Sequence, residues 1–261
     1  MSEDLINQEQ SVGLNRNALK IIAMASVVIG HFLLFTWTTL GFHQRWLATI
    51  AISCFIGPPI FMFFIAEGFR YTHDKKKYGT RLLLFAVITQ VAHSLSVVNG
   101  AWHFDVRTFF LQWNVFFSLF LGFLALCILN SELKTWQKGI LTFATVALSY
   151  VMTAEWGVFG PLMIISYYYL REYKVRKFLV AALCSYSTFL FGDCFPGGGF
   201  TLFWGNKGLF KQVAFCLVGA ALVCFFYNGK GGKKNAFWKY LFYIAYPLHL
   251  VIIQLVRFLA A

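Results

Sequence analysis

The stretch PIFMFFIAEGFRYTHDKKKYGTRLLLFAVITQ, Pro59 to Gln90, decides the fold class. An apolar run that begins at Trp46 stops at Phe69. A basic loop from Arg70 to Arg81 follows, and a second apolar run, Leu82 to Val98, starts directly behind it. A bilayer core about 30 Å thick takes about 20 apolar residues per helical crossing, so two runs joined by a short cationic loop read as two membrane helices and their connection. The same punctuation repeats outward in both directions. Apolar stretches lie at Leu19 to Leu40, Phe109 to Leu129, Gly139 to Met152, Val158 to Tyr169, Phe178 to Phe191, Leu209 to Phe226 and Tyr240 to Leu259. The expectation is an all-α, polytopic integral membrane bundle of about nine transmembrane helices, or ten if a short or re-entrant piece hides another. The fifth to seventh stretches are short for a full crossing. Residues 1–18 read as a cytosolic amino-terminal segment and 19–261 as a single transmembrane domain.

Composition excludes the other classes. The chain is 59% apolar, 20% aromatic and only 12% charged, whereas about a quarter of the residues in an ordinary soluble domain are charged. Thirty-one Phe, eight Trp and twelve Tyr exclude disorder, and five Pro without a low-complexity tract exclude a fibrous chain. The net charge of +12 first suggests nucleic acid or anionic lipid, but the cations fall in short clusters between apolar runs, which is a topology signal and no nucleic-acid surface. With the amino terminus in the cytoplasm, all of the 22 Lys and Arg lie inside except Arg45, Arg107, Lys207, Lys211 and Arg257. The polar start, Met1 to Gln10, lacks the cationic lead and cleavage site of a secretory signal. Of the six cysteines only Cys194 falls in a loop, and none has paired or metal-ligand spacing. The glycine-rich stretch FPGGGFTLFWGNKGL, Phe195 to Leu209, lacks the strand and helix that frame a phosphate loop and reads as an interfacial loop on the outer side, with capping of an acceptor cavity as its second reading.

Ionisable groups inside spans are costly and are functional candidates by default, which singles out His31, Glu67, His93 and His249. His31 is either a helix-to-helix hydrogen-bonding group or a base. Lys20 precedes it by 11 residues, which puts both side chains within about 20° of one helix face and about 16 Å apart along the axis. Lys20 either marks the membrane boundary or holds the phosphates of a donor whose acyl thioester reaches His31. Glu67 lies three residues before Arg70, the spacing of a helical ion pair. Arg70 to Arg81 is the densest basic loop and either fixes topology or also receives a polyanion. His249 follows Pro247 near midspan, where the proline interrupts the helix ladder. His93, nearer the outer end, reads as structural. Gln112 and Asn114 either bind an acceptor or bond neighbouring helices. No Ser/His/Asp order and no zinc spacing is present.

Four stretches then form a recognisable set: LKIIAMASVVIGHF at Leu19 to Phe32, the quoted Pro59 to Gln90, QWNVFFSLFLG at Gln112 to Gly122 and YLFYIAYPLHLVI at Tyr240 to Ile252. Over most of the chain they resemble the TraX family of membrane acetyltransferases, and more distantly the type-three membrane acyltransferases. A basic residue, ten spacers and a histidine mark the first helix of those proteins, as Lys20 and His31 do here. The resemblance implies a bacterial inner-membrane enzyme that takes an acetyl group from cytosolic acetyl-CoA to a peptide amino terminus, as on pilin, or to a glycan hydroxyl. It implies His31 as the catalytic base, with Lys20 and Arg81 on the phosphates of acetyl-CoA and no metal; the residues themselves add Arg70 to the phosphate site, Glu67 to organise the arginines and His249 to orient the acceptor or stabilise charge. One departure stands out: the family usually carries an aspartate directly before the histidine, and this chain has Gly30. A small-solute transporter and a non-catalytic membrane assembly factor are the competing readings.

Overall fold

The computed structural model describes residues 13–37, 39–41, 44–192, 207–232 and 236–261. Eleven α-helices and one β-hairpin are present among them. Helix α1 (Arg16–Thr36) starts where the side chain of Asn15 accepts from the Ala18 N–H, 2.9 Å away. The run Trp46 to Phe69 is divided into α2 (Arg45–Ile52), a 3₁₀ turn (Ser53–Ile56) and α3 (Gly57–Tyr71). Pro58 and Pro59 occupy the first turn of α3, where their missing N–H groups cost nothing. Then come α4 (Lys75–Ser94), β1 (Leu95–Val98), β2 (Ala101–Phe104), α5 (Val106–Leu111), α6 (Val115–Leu129), α7 (Thr135–Val151), α8 (Phe159–Tyr169) and α9 (Lys174–Gly192). Helix α10 (Lys207–Ala221) runs on through a π turn (Leu222–Phe226), and α11 (Ala236–Leu259) is last.

Each predicted apolar stretch holds a helix, but Trp46 to Phe69 and Phe109 to Leu129 are each broken in two, and one stretch ends early. The run Leu82 to Val98 leaves the helix at Ser94, because Asn99 and Gly100 both take positive φ, 51° and 72°, in the tight turn of an antiparallel hairpin. Among the described residues four segments are long and apolar enough to cross a membrane: Arg16–Thr36, Trp46–Tyr71, Val106–Leu129 and Tyr240–Leu259. Residues such as Ile29, Leu84, Phe143, Leu183, Ile244 and Ile252 are large, apolar and exposed, the outward face that lipid requires.

The core is formed where α3, α4 and α6 meet α1 and α8, with Leu19, Val27, Ile60, Phe69, Leu82 and Met163 almost wholly buried. Helix α1 packs against α2, α3 and α11, and α10 packs against α9 and the 3₁₀ turn. The loops that the sequence marks as basic gather at one end of the bundle. There Arg171 reaches Glu67 and Tyr71, Lys75 lies over Phe69, and the backbone N–H of Arg16 donates to the Lys230 carbonyl. At the other end the hairpin is tied to α11, because Arg257 donates to Gln254 and to the Val97 carbonyl. Asp105 caps α5 there, and the hydroxyl and N–H of Thr108 hold its carboxyl below the usual carboxylate range.

The break between α5 and α6 is closed by a buried amide pair. Asn114 is fully buried, accepts from the Phe116 N–H, and donates to Gln90 Oε1 at 2.7 Å and to the Ala86 carbonyl at 2.9 Å. Gln90 donates onward to the carbonyls of Thr108, Phe109 and Gln112. Of the two readings for Asn114 the helix-bonding one therefore holds, and the Gln112 side chain faces outward. Asn114→Ala removes a cap and strands a buried amide, which costs about 1–3 kcal/mol. The expected result is a clearly lowered melting temperature in detergent, with the exposed Gln112→Ala as a neutral comparison.

Candidate active site

Helix α1 carries Lys20 and His31 to two levels of one interior face, as their spacing predicts. Lys20 Nζ lies 5.5 Å from the ring centre of Phe64 and 5.3 Å from that of Phe242, so its charge is met by two aromatic faces. Farther along, His31 meets His249 of α11. His31 Nδ1 is 3.0 Å from His249 Nε2, and the rings stack with centroids 5.2 Å apart. His249 Nδ1 lies 3.3 Å from the Ala245 carbonyl, which can only accept, so that nitrogen carries a proton. In the neutral ring His249 Nε2 is then the acceptor, and His31 Nδ1 is the donor. The lone pair of His31 is thereby left on Nε2. Two residues 218 positions apart thus fix each other's ring orientation.

A cleft of about 540 Å³, the open space at its mouth included, lies along this face. Lys20, Tyr78 and Tyr243 line it toward the basic end, Met24, Phe61 and Phe116 along its length, and Tyr246 beside the histidines. The Tyr246 ring packs edge-on against both imidazoles, with centroids 5.0 Å from His249 and 6.3 Å from His31. Arg81 stands by the cleft's Tyr78, with its guanidinium carbon 5.7 Å from that ring, and close to Tyr243. Arg81 Nε is buried without a hydrogen-bond partner. An apolar passage with a caged cation and an orphaned guanidinium N–H near one end fits a ligand with an anionic head and a long neutral arm.

Other expected site residues lie elsewhere. Glu67 does not pair with Arg70. Its Oε1 is 3.3 Å from Arg171 Nε, because the turn between α8 and α9 brings that arginine across the end of α3. Lys20 is level with Phe64 on α3, and Gly30 is level with Ala51 and Cys54, so Glu67 lies beyond Lys20 on the side away from His31. Arg70 is exposed and does not line the cleft. The segment Phe195 to Asn206 and Cys194 lie outside the described residues. The other five cysteines are free, and four of them are buried. Among the described residues no group of three or more His, Cys, Asp or Glu is placed to hold a metal ion.

Two acid–base residues outside the expected set approach the histidine pair. His93 faces Glu155, with 3.9 Å between Nε2 and Oε1. His93 is an electrostatic neighbour of His31, and Glu155 of Tyr246 and Cys54. Glu155 sits in a turn where Thr153, Trp156 and Gly157 all have positive φ, held by hydrogen bonds to Trp113 and Ser118. It falls between two helices in sequence, so no span pattern marks it. Tyr246 was legible only as part of the YPLH stretch.

Comparison with known proteins gives two matches. The family model described as TraX protein matches residues 15–257. The chain is also similar to a protein of Dichelobacter nodosus named "Probable fimbrial assembly protein FimC, serogroup H1", with 28% identity over 250 residues that cover 90% of this chain and 92% of that one. No solved structure matches the chain.

The Gly30 departure has a packing cause. A Cβ at this position would sit 2.5 Å from the Ala51 carbonyl oxygen and 2.6 Å from Cys54 Cβ, so α1 approaches the end of α2 and the 3₁₀ turn closely enough to exclude any side chain. Orientation of His31 is supplied here by its hydrogen bond to His249. Gly30→Asp is therefore expected to lower stability, by about 1–3 kcal/mol for an overpacked contact, without raising activity. Thermal unfolding in detergent tests this. A variant of unchanged stability with higher turnover would show that the 51–56 segment yields.

Proposed function

The chain belongs to the TraX family, and from that premise we propose that it is an integral membrane acetyltransferase moving an acetyl group from cytosolic acetyl-CoA to an amine or hydroxyl acceptor. The observation that carries this reading is the His31–His249 hydrogen bond beside an apolar cleft: Lys20 lines the cleft from the helix face that also bears His31, and Tyr246 lies between the cleft and the two imidazoles. The basic end faces the cytoplasm of a bacterial inner membrane in this reading, with nine spans and the amino terminus inside. Acceptor classes are a peptide amino terminus, such as that of a fimbrial or pilus subunit, or an envelope glycan.

Lys20 and Arg81 hold the anionic head of the donor, and the aromatic walls take its neutral arm. His31 Nε2 receives the acceptor proton as the acceptor attacks the thioester carbon, then returns it to the departing sulfur. His249 fixes the tautomer and ring plane of His31 and shares the charge that forms on it. Glu67 acts at a distance in this scheme: it anchors Arg171 at the basic end and takes no part at the reacting atoms. Arg70, exposed and off the cleft, serves topology.

A second reading, a non-catalytic membrane assembly factor, is favoured by the name of the Dichelobacter nodosus relative. Acetyl-CoA binding by the purified protein separates the two, because only the enzyme has a use for the donor.

His31→Ala is expected to lower transfer about a thousandfold, the range for loss of a positioned base, while acetyl-CoA still binds. His249→Ala leaves the base but frees its orientation, so a smaller loss is expected; a loss as large as that of His31→Ala would reverse the two roles. Lys20→Gln or Arg81→Gln should weaken acetyl-CoA binding about tenfold, the order of one charge-assisted contact, and barely change binding of acetyl-pantetheine. Arg70→Gln is the control. A loss there equal to that at Arg81 would make the anion site a diffuse basic surface. Full transfer by His31→Ala in a reconstituted assay would reject the mechanism.

A further inference from the structure

Tyr246 occupies the boundary between the cleft and the histidine pair. Its ring lines the passage and packs edge-on against His249 and His31, while Phe116 lies on its third side at 5.4 Å between centroids. The residue is 6% exposed, so its rotamer is set by packing. Its hydroxyl makes no hydrogen bond with the described residues and, unlike that of Tyr167, is not sealed from open space, so it is free to donate to a group in the cleft. The ring stands edge-on to both imidazoles while the residue also lines the cleft, which places Tyr246 at the level of His31. A neutral, unpartnered donor thus faces the level at which the acyl carbonyl would lie.

We infer that Tyr246 is the oxyanion-binding residue of the site: its hydroxyl donates a hydrogen bond to the thioester carbonyl oxygen of the donor, and its ring limits the acyl group to a short chain. This rests on the acetyltransferase reading above. As the acceptor lone pair forms its bond to the carbonyl carbon, the carbonyl π electrons move to oxygen, and the Tyr246 O–H bonds to that oxyanion without giving up its proton. Collapse restores the carbonyl and breaks the C–S bond. The acceptor proton, held on His31 Nε2, goes to the thiolate, so acetyl-CoA and acceptor leave as acetylated acceptor and free thiol. A fixed O–H dipole in a water-poor cleft needs no reorganisation when charge develops, which is why such a donor is worth more here than in water. His31 cannot serve both purposes, because its Nδ1 proton is committed to His249 and its Nε2 is the base.

Tyr246→Phe keeps the ring, its packing and the cleft wall and removes only the donor. Turnover is expected to fall about a hundredfold, the range for loss of one oxyanion donor, with KM for acetyl-CoA and the melting temperature unchanged. A packing role predicts no loss of turnover, or a loss that follows stability, and either result overturns the proposal. Tyr246→Ala should shift donor preference toward propionyl- and butyryl-CoA; retained rejection of both would overturn the role of the ring. A measurement without acceptor separates this inference from the reading beneath it. The infrared carbonyl stretch of acetyl-CoA labelled with ¹³C at the carbonyl should move to lower frequency on binding wild-type protein and not on binding Tyr246→Phe. If acetyl-CoA binds both proteins with the same stretch, the inference about Tyr246 fails and the acetyltransferase reading stands. If it binds neither, the acetyltransferase reading fails, and Tyr246 has no such role.

Discussion

Close approach of α1 to the chain between α2 and α3 is the constraint on which the site depends. Gly30 lies against Ala51 and Cys54, and Gly57 lies where a Cβ would sit 2.6 Å from Val27. With no side chain at either contact, α1 is pressed onto this segment along the face that carries Ala23 and Val27, both almost wholly buried. Its neighbouring face is then presented to α11, and there His31 meets His249. A helix held this closely has little freedom to rotate, so a hydrogen bond between two imidazoles can be maintained without a third polar side chain to orient them.

The arrangement also separates charge from chemistry. Lysines and arginines collect at one end of the bundle, where Glu67 and Arg171 tie α3 to the turn before α9. Among the residues that line the passage Lys20 is the cation, and Phe64 and Phe242 make its position tolerable by offering ring faces where carboxylates are absent. At the histidine level the polar groups are His31, His93, His249, Tyr246 and Glu155, none of which is a fixed cation. A passage with permanent positive charge at one end and titratable or neutral groups at the other suits a donor that is anionic at its head and reacts at its tail.

Strain is concentrated at the opposite end. Thr153, Trp156 and Gly157 hold left-handed backbone in a short turn, and hydrogen bonds from Glu155 to Trp113 and from Ser118 to Glu155 pin it to α6 and the residue before its cap. The buried Gln90–Asn114 pair supports the same region from α4. Backbone of this kind persists only where neighbours over-determine it, and its effect here is to bring an acidic side chain from a connecting segment to within reach of His93.

The sequence by itself determined the class of molecule, because the bilayer leaves few choices: apolar runs of crossing length must be helical, and cations must gather between them. It also determined that Lys20 and His31 share a face, since both lie on one helix and the helical repeat is fixed. Partners on different helices were another matter. The i,i+3 spacing of Glu67 and Arg70 gave way to Arg171 from another loop, and Leu95 to Val98 left the helix because the Asn99–Gly100 turn won over apolar continuity. The link between His31 and His249, the placing of Glu155 beside His93 and the position of Tyr246 between cleft and base come from helix packing. Packing depends on where small residues allow backbones to touch, and local periodicity carries no record of which distant helix fills the contact.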